Sequence, residues 1–176
     1  MKIGRAIEWL ARMLALVGGS VLVIIAMLTC VSIVGRAFIS IGLGPIQGDF
    51  ELVEAGAGFA VFAFLPWCQI NRGHASVDVF TNFLSPLINR WIDLISEVLM
   101  TIAIFIIAWR LWEGTLVKMR YGDTTFILEF PIWWAYAASL CAALIACVIA
   151  LYMVSVRVQE VFTGKSKLRS ESGAFH

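Results

Sequence analysis

Residues 13–35 form an uncharged apolar run bounded by Arg12 and Arg36. A helix of about 20 such residues crosses the hydrocarbon core of a bilayer. Three further apolar stretches follow, at about 51–71, 86–112 and 131–156, separated by short polar segments. Backbone groups in lipid must find their hydrogen bonds within the chain, so four runs of this length predict four transmembrane helices. The fold class read from the pattern is all-α, one membrane domain over residues 1–176 with 157–176 as a polar tail. In the middle loop Val77, Phe80, Leu84 and Leu87 recur at helical spacing. This predicts a short interfacial helix over 76–84, lying flat on the membrane. The boundaries carry their own signals. Ser85-Pro86 reads as an N-cap followed by a first-turn proline, and Pro131 suits the first turn of the fourth helix. Asp49, Glu51 and Glu54 crowd the start of the second, where the positive end of its dipole favours acids.

Composition agrees. Of 176 residues, 61% are hydrophobic and 14% charged, against roughly 25% charged in soluble domains. The net charge of +1 gives no reason to expect nucleic acid as a partner. Its distribution is more telling. With four spans, the N-terminus, the middle loop and the tail share one side, and they hold nine of the 13 basic residues. The other side holds Arg36, Arg110, Lys118 and Arg120 among several acids. Lys and Arg concentrate on the cytoplasmic side, so both termini are expected there. Trp67 and Trp91 then mark the cytoplasmic interface, and Trp109, Trp112, Trp133 and Trp134 the opposite one. The first apolar run is too long for a signal-peptide core and lacks a small-x-small cleavage site, so it reads as an uncleaved span.

Candidate chemistry is sparse. Cys30, Cys68, Cys141 and Cys147 lie in apolar segments without a C-x-x-C pair, so neither a metal nor a disulfide is expected. No nucleophile–His pair, HExxH or phosphate loop is present, which argues against an enzyme, and no cofactor is expected. The stretch "CQINRGHASVDVF", residues 68–80, places Arg72, His74 and Asp78 in the loop between spans two and three, with Gly73 allowing a tight turn. These side chains read as anchors and caps of that turn. Asp93 and Glu97 sit one turn apart in span three. Acids inside a span raise a functional hypothesis; here, near the interface, they are expected to pair with a basic residue, Arg90 or one elsewhere. Span four carries Ala138, Ala142, Ala146 and Ala150 four residues apart, and span two opens on Ala55-Gly56-Ala57-Gly58. Small-residue stripes let helices approach closely. They suit packing within the chain or contact with another subunit.

The order of these features resembles a known family. Arg36 ends span one, Glu51-Leu52 opens span two, "RGHASVD" runs from Arg72 to Asp78, and "GDTTFILEFP" runs from Gly122 to Pro131. This is similar to the small, DctQ-type membrane subunit of tripartite ATP-independent periplasmic (TRAP) transporters, over about residues 13–156. Arg72, His74, Val77 and Asp78 match one family motif; Gly122, Thr124, Thr125, Leu128 and Pro131 match the other, with Phe126 in place of its usual proline. The resemblance implies a multi-pass protein of the bacterial inner membrane. Its expected partners are the large DctM-type subunit, which carries the sodium and substrate sites and moves as an elevator, and a periplasmic substrate-binding protein. It further implies that the small subunit braces the scaffold of the large one and helps dock the binding protein during sodium-driven uptake of an organic acid. A structural small subunit of another membrane complex, such as a respiratory enzyme, is the alternative.

Overall fold

The computed structural model describes residues 2–71 and 86–163. They form four long helices, each apolar enough to cross a membrane: α1 (Lys2–Ala37), α2 (Asp49–Ile70), α3 (Pro86–Tyr121) and α4 (Trp133–Thr163). A 3-10 turn, Ile39–Ile41, follows α1. The architecture is therefore the expected all-α, four-span one. The interfacial helix expected over 76–84, and Arg72, His74 and Asp78 with it, lie outside the described residues.

Several boundaries differ from the sequence expectation, and both ends of the fourth helix do so for a local reason. The fourth helix begins at Trp133, not Pro131. Pro131 pairs instead with Thr124 in an isolated bridge, and its carbonyl oxygen accepts from the Trp134 N–H at 3.1 Å. The proline thus caps the helix from outside. At the other end α4 continues to Thr163, so Arg157 belongs to the helix and not to a tail. Met153, Val156 and Arg157 share its buried face, and the helical repeat outlasts the apolar run. Helix α3 is described from Pro86 and continues to Tyr121, nine residues past the expected end of its apolar run at 112.

Backbone packing runs in the order α1–α2–α4–α3, with α1 touching α4 only slightly. Side-chain size explains the order. Ala143, Ala146, Cys147 and Ala150 of α4 pack with Ile104 and Ala108 of α3, with Phe62 and Leu65 of α2 closing the cluster. Ile149 and Met153 turn the other way, toward Ala11 of α1 and Trp67 and Ile70 of α2. Half of the apolar core of α4 is buried, against 6% for α1. The central helix is thus the one richest in alanine, because several neighbours reach it only where its side chains are short. The stripe read from the sequence divides accordingly: Ala142, Ala146 and Ala150 are buried inside the chain, whereas Ala138 is exposed. On α2, a methyl group at Gly56 would meet Ile25 of α1 at 3.0 Å. Gly18 of α1 is tighter still: a Cβ there would lie 2.7 Å from that of Ala63.

Lengths relate the helices to the membrane. At 1.5 Å per residue α2, with 22 residues, spans about 33 Å, near the bilayer core, while α1 and α3, with 36 each, reach about 54 Å. The longer helices must therefore tilt or project. Overpacking the central contact tests the arrangement. In the isolated chain, Ala146→Leu is expected to destabilise by about 1–3 kcal/mol and to lower the thermal unfolding midpoint in detergent. Ala138→Leu, on the exposed side of the same stripe, is expected to leave that midpoint unchanged.

Candidate functional site: two polar ties at the ends of the bundle

Polar side chains in this apolar chain gather at its two ends. The first cluster joins the last turns of α2, the first turns of α3 and the end of α4. Arg157 Nη1 lies 3.3 Å from Asp93 Oδ2, and its Nε lies 3.8 Å from Glu97 Oε2. Gln69 Nε2 donates to Glu97 Oε1 at 2.7 Å. The arginine and Glu97 side chains are only 9% and 11% exposed, while Asp93, at 49%, reaches the surface. Glu97 lies six residues, about 9 Å, inward from Trp91, the interfacial marker on the same helix. An isolated carboxylate at that depth is costly. The guanidinium of α4 and the amide of α2 offset that cost, because both are held beside it by the close alanine packing. The basic partner expected for Asp93 and Glu97 is thus Arg157. A sequence signal existed, since Arg157 falls seven residues after Ala150 on one helical face, but it was hidden by the assumption that the helix ends with the apolar run.

The second cluster builds the opposite end, and most of the motif residues meet there. Gly48 sits at φ 77°, opening α2 with Asp49 and Glu51 in its first turn. The Ser32 hydroxyl of α1 donates to Asp49 Oδ2 and accepts from the Ile46 N–H at 3.2 Å. One buried serine therefore ties α1, the following loop and α2 together. Glu51 does the same for the other hairpin. Its two carboxylate oxygens accept from the N–H groups of Ile127 and Leu128, at 2.8 and 3.0 Å. A carboxylate with two oxygens suits two adjacent amides, and bonds to an ionised acceptor are the stronger kind. Leu128 also lies directly over Gly48, where a Cβ would approach its Cγ to 2.5 Å.

The loop between α3 and α4 is shaped to meet this clamp. Gly122, at φ 66°, ends α3 in the left-handed conformation that glycine tolerates best. The Thr125 N–H donates to the Phe130 carbonyl at 3.0 Å, and Thr125 Oγ1 accepts from the Phe130 N–H at 3.3 Å. Thr124 bridges to Pro131, and Lys118 pairs with Asp123 at 2.8 Å. Glu51, Gly122, Thr124, Thr125 and Pro131 thus converge on one loop. Arg36 lies at the same end, exposed in the last turn of α1. Asp49, read from the sequence as a first-turn acid of the second span, belongs here too, and Ser32, Lys118 and Asp123 complete the cluster. A lone serine in an apolar span has an ordinary local alternative, bonding its own helix, and only the fold shows its partner. Among the described residues no group of three or more potential metal ligands forms. These contacts orient backbone and neutralise charge, so both clusters read as ties between helices.

Two substitutions check these ties. Arg157→Met leaves Glu97 buried without its cation, and breaking such a pair from one side costs on the order of 3–5 kcal/mol. We expect a lower unfolding midpoint for Arg157→Met than for the double change Arg157→Met with Glu97→Gln, which removes both charges. For the opposite end, Glu51→Ala frees the amides of Ile127 and Leu128. Faster hydrogen exchange is expected at those two positions, with exchange in the middle of α4 unchanged.

The geometry has a counterpart among known proteins. A search of curated proteins found no match, and neither did a search of solved structures. The family model for the DctQ component of tripartite ATP-independent periplasmic transporters matches residues 25–160. That region holds all of α2 and α3, both polar clusters and the loop that Glu51 clamps. With well over half its length matched, the chain belongs to the DctQ family, the small membrane component of tripartite ATP-independent periplasmic transporters.

Proposed function

We propose that this chain braces the static scaffold of a large DctM-type membrane subunit and helps to dock a periplasmic substrate-binding protein, within a sodium-driven importer of an organic acid. Family membership supports the transporter component. The observation that supports a bracing role is the way its polar groups are spent. Glu97, Arg157 and Gln69 are buried against one another, and Ser32, Asp49 and Glu51 hold loops and helix ends. A brace needs that rigidity, whereas an ion-binding site needs donors that can exchange partners. Helices α1 and α3 meanwhile keep wide apolar faces turned outward, as a membrane subunit embedded in lipid and a larger complex requires.

The same reading orients the chain in the bacterial inner membrane. Nine basic residues against four favour cytoplasmic termini. The Gln69–Glu97–Arg157 tie then lies toward the cytoplasm and the Glu51-clamped loop toward the periplasm. In this frame the segment holding Arg72, His74 and Asp78, which lies outside the described residues, is on the cytoplasmic side.

The test has two parts. With the native cysteines replaced, an impermeant thiol reagent applied to intact cells is expected to label Asp123→Cys and to spare Ser172→Cys; the opposite pattern rejects the orientation. Co-expressed with the large membrane subunit of its own operon, the tagged chain is expected to retain it through detergent purification. Sodium-dependent uptake of an organic acid should then require both subunits and the binding protein. Uptake by the large subunit and binding protein alone, at the full rate, rejects the bracing role.

A further inference from the structure

The first turns of α1 have a packed side and a bare one. Gly4 lies against the Tyr152 hydroxyl, Ile7 and Ala11 join the cluster of Ile149 and Met153, and Gly18 meets Ala63. Roughly 140° round the helix, Arg5, Trp9, Arg12 and Leu16 recur at intervals of three and four, and all are exposed. Trp9 is 62% exposed. Neither arginine forms an ion pair with a described residue, exposed Glu8 included. With one acid against two bases, these two turns keep a net positive charge.

Helix length sets the depth of this stripe. As a helix the uncharged run 13–35 is about 35 Å long, slightly more than the hydrocarbon core of a bilayer. Arg12 therefore stands at one edge of that core. Trp9 lies about 4 Å further out and Arg5 about 10 Å, across a headgroup layer about 5–8 Å thick. The stripe thus crosses that layer, with a guanidinium near each margin and an indole, which favours this depth, between them. On the hydrocarbon side the same face continues through Leu16, Val23 and Met27, all exposed. The chemistry selects the occupant. An apolar strip takes an acyl chain, and guanidinium groups donate to phosphate oxygens, often in pairs. A headgroup with an ammonium beside its phosphate brings a cation toward Arg5, whereas one without it keeps a net negative charge. We infer that the Arg5–Trp9–Arg12 face of α1 is a seat for an anionic phospholipid, its phosphate on the two arginines and a chain along Leu16, Val23 and Met27. The seat is independent of the transport role and of which side of the membrane this end faces.

Native mass spectrometry of the full-length chain, purified in micelles holding equal phosphatidylglycerol and phosphatidylcholine, tests the seat. Retained phosphatidylglycerol is expected to exceed retained phosphatidylcholine by about tenfold, since each basic residue near an anionic headgroup adds a several-fold preference and Glu8 opposes one of them. Arg5→Gln with Arg12→Gln is expected to abolish that preference at an unchanged unfolding midpoint. Arg36→Gln with Arg110→Gln, at the opposite end of the bundle, is expected to keep it. No preference in the unmodified chain, an undiminished preference in Arg5→Gln with Arg12→Gln, or an equal loss in both double variants overturns the assignment. A second measurement identifies the occupant in the native membrane and decides the matter if the first double variant does not accumulate. Benzoylphenylalanine is introduced at position 9 of the otherwise unmodified chain and photolysed in cells. A covalent phospholipid adduct is the expected result, and an adduct with protein, or none, overturns the seat.

Discussion

Helices in a bilayer gain little from hiding apolar side chains from one another, because lipid tails are as apolar as leucine. What holds them together is close contact between surfaces that fit, with hydrogen bonds where polar groups meet. In this chain that contact centres on α4. Ala143, Ala146, Cys147 and Ala150 admit the larger Ile104 of α3 and the flanking Phe62 and Leu65 of α2, while Ile149 and Met153 fill the space on the other side. Helix α3 meets α2 through α4, whereas α1 packs directly on α2, through the small residues Gly18 and Gly56.

Polar groups then set register where dispersion contacts are less specific. A helix sliding by one turn keeps most of its apolar contacts, but it would pull Arg157 away from Glu97 and Glu51 away from the Ile127 and Leu128 amides. Each of those losses leaves a charged or polar group in a medium that cannot replace its partner. The two ties lie at opposite ends of the bundle, so together they oppose both sliding and splaying. Their energies differ in character. The Glu97–Arg157 pair is almost fully buried, and its worth lies mainly in the penalty for breaking it. The Glu51 clamp is more open to solvent, and its effect is to give a loop of exposed side chains one conformation.

The combination suits a component that must stay still while another moves. A transporter that works by moving one part against another needs a stationary part to resist the motion, and rigidity in a thin four-helix layer has to come from such ties. The layer order α1–α2–α4–α3 also leaves much of each outer helix uncovered, so the chain offers broad surface for its own size. Lipid can cover the faces within the slab.

Local sequence was sufficient for whatever depends on one segment at a time. Apolar runs of sufficient length specified four spans, because the cost of unpaired backbone in lipid leaves few alternatives. Pro86 marked the start of α3, and Gly122 with its neighbours marked a shaped turn. The motif residues carried the family resemblance, and the match over 25–160 agrees with it. Partner choice was a different matter. Asp93 and Glu97 announced a need for a cation, but Arg157 lies some sixty residues away, and its helix had to continue past the apolar run before the two could meet. Ser32 was one serine among several until α2 brought Asp49 to it. The alanine stripe of α4 suited either an internal or an external neighbour, and only the packing of α2 and α3 decided that Ala142, Ala146 and Ala150 face inward while Ala138 does not. Spans follow from the transfer of each segment between water and lipid, a local quantity; pairs follow from which faces come to lie opposite, which no segment determines alone.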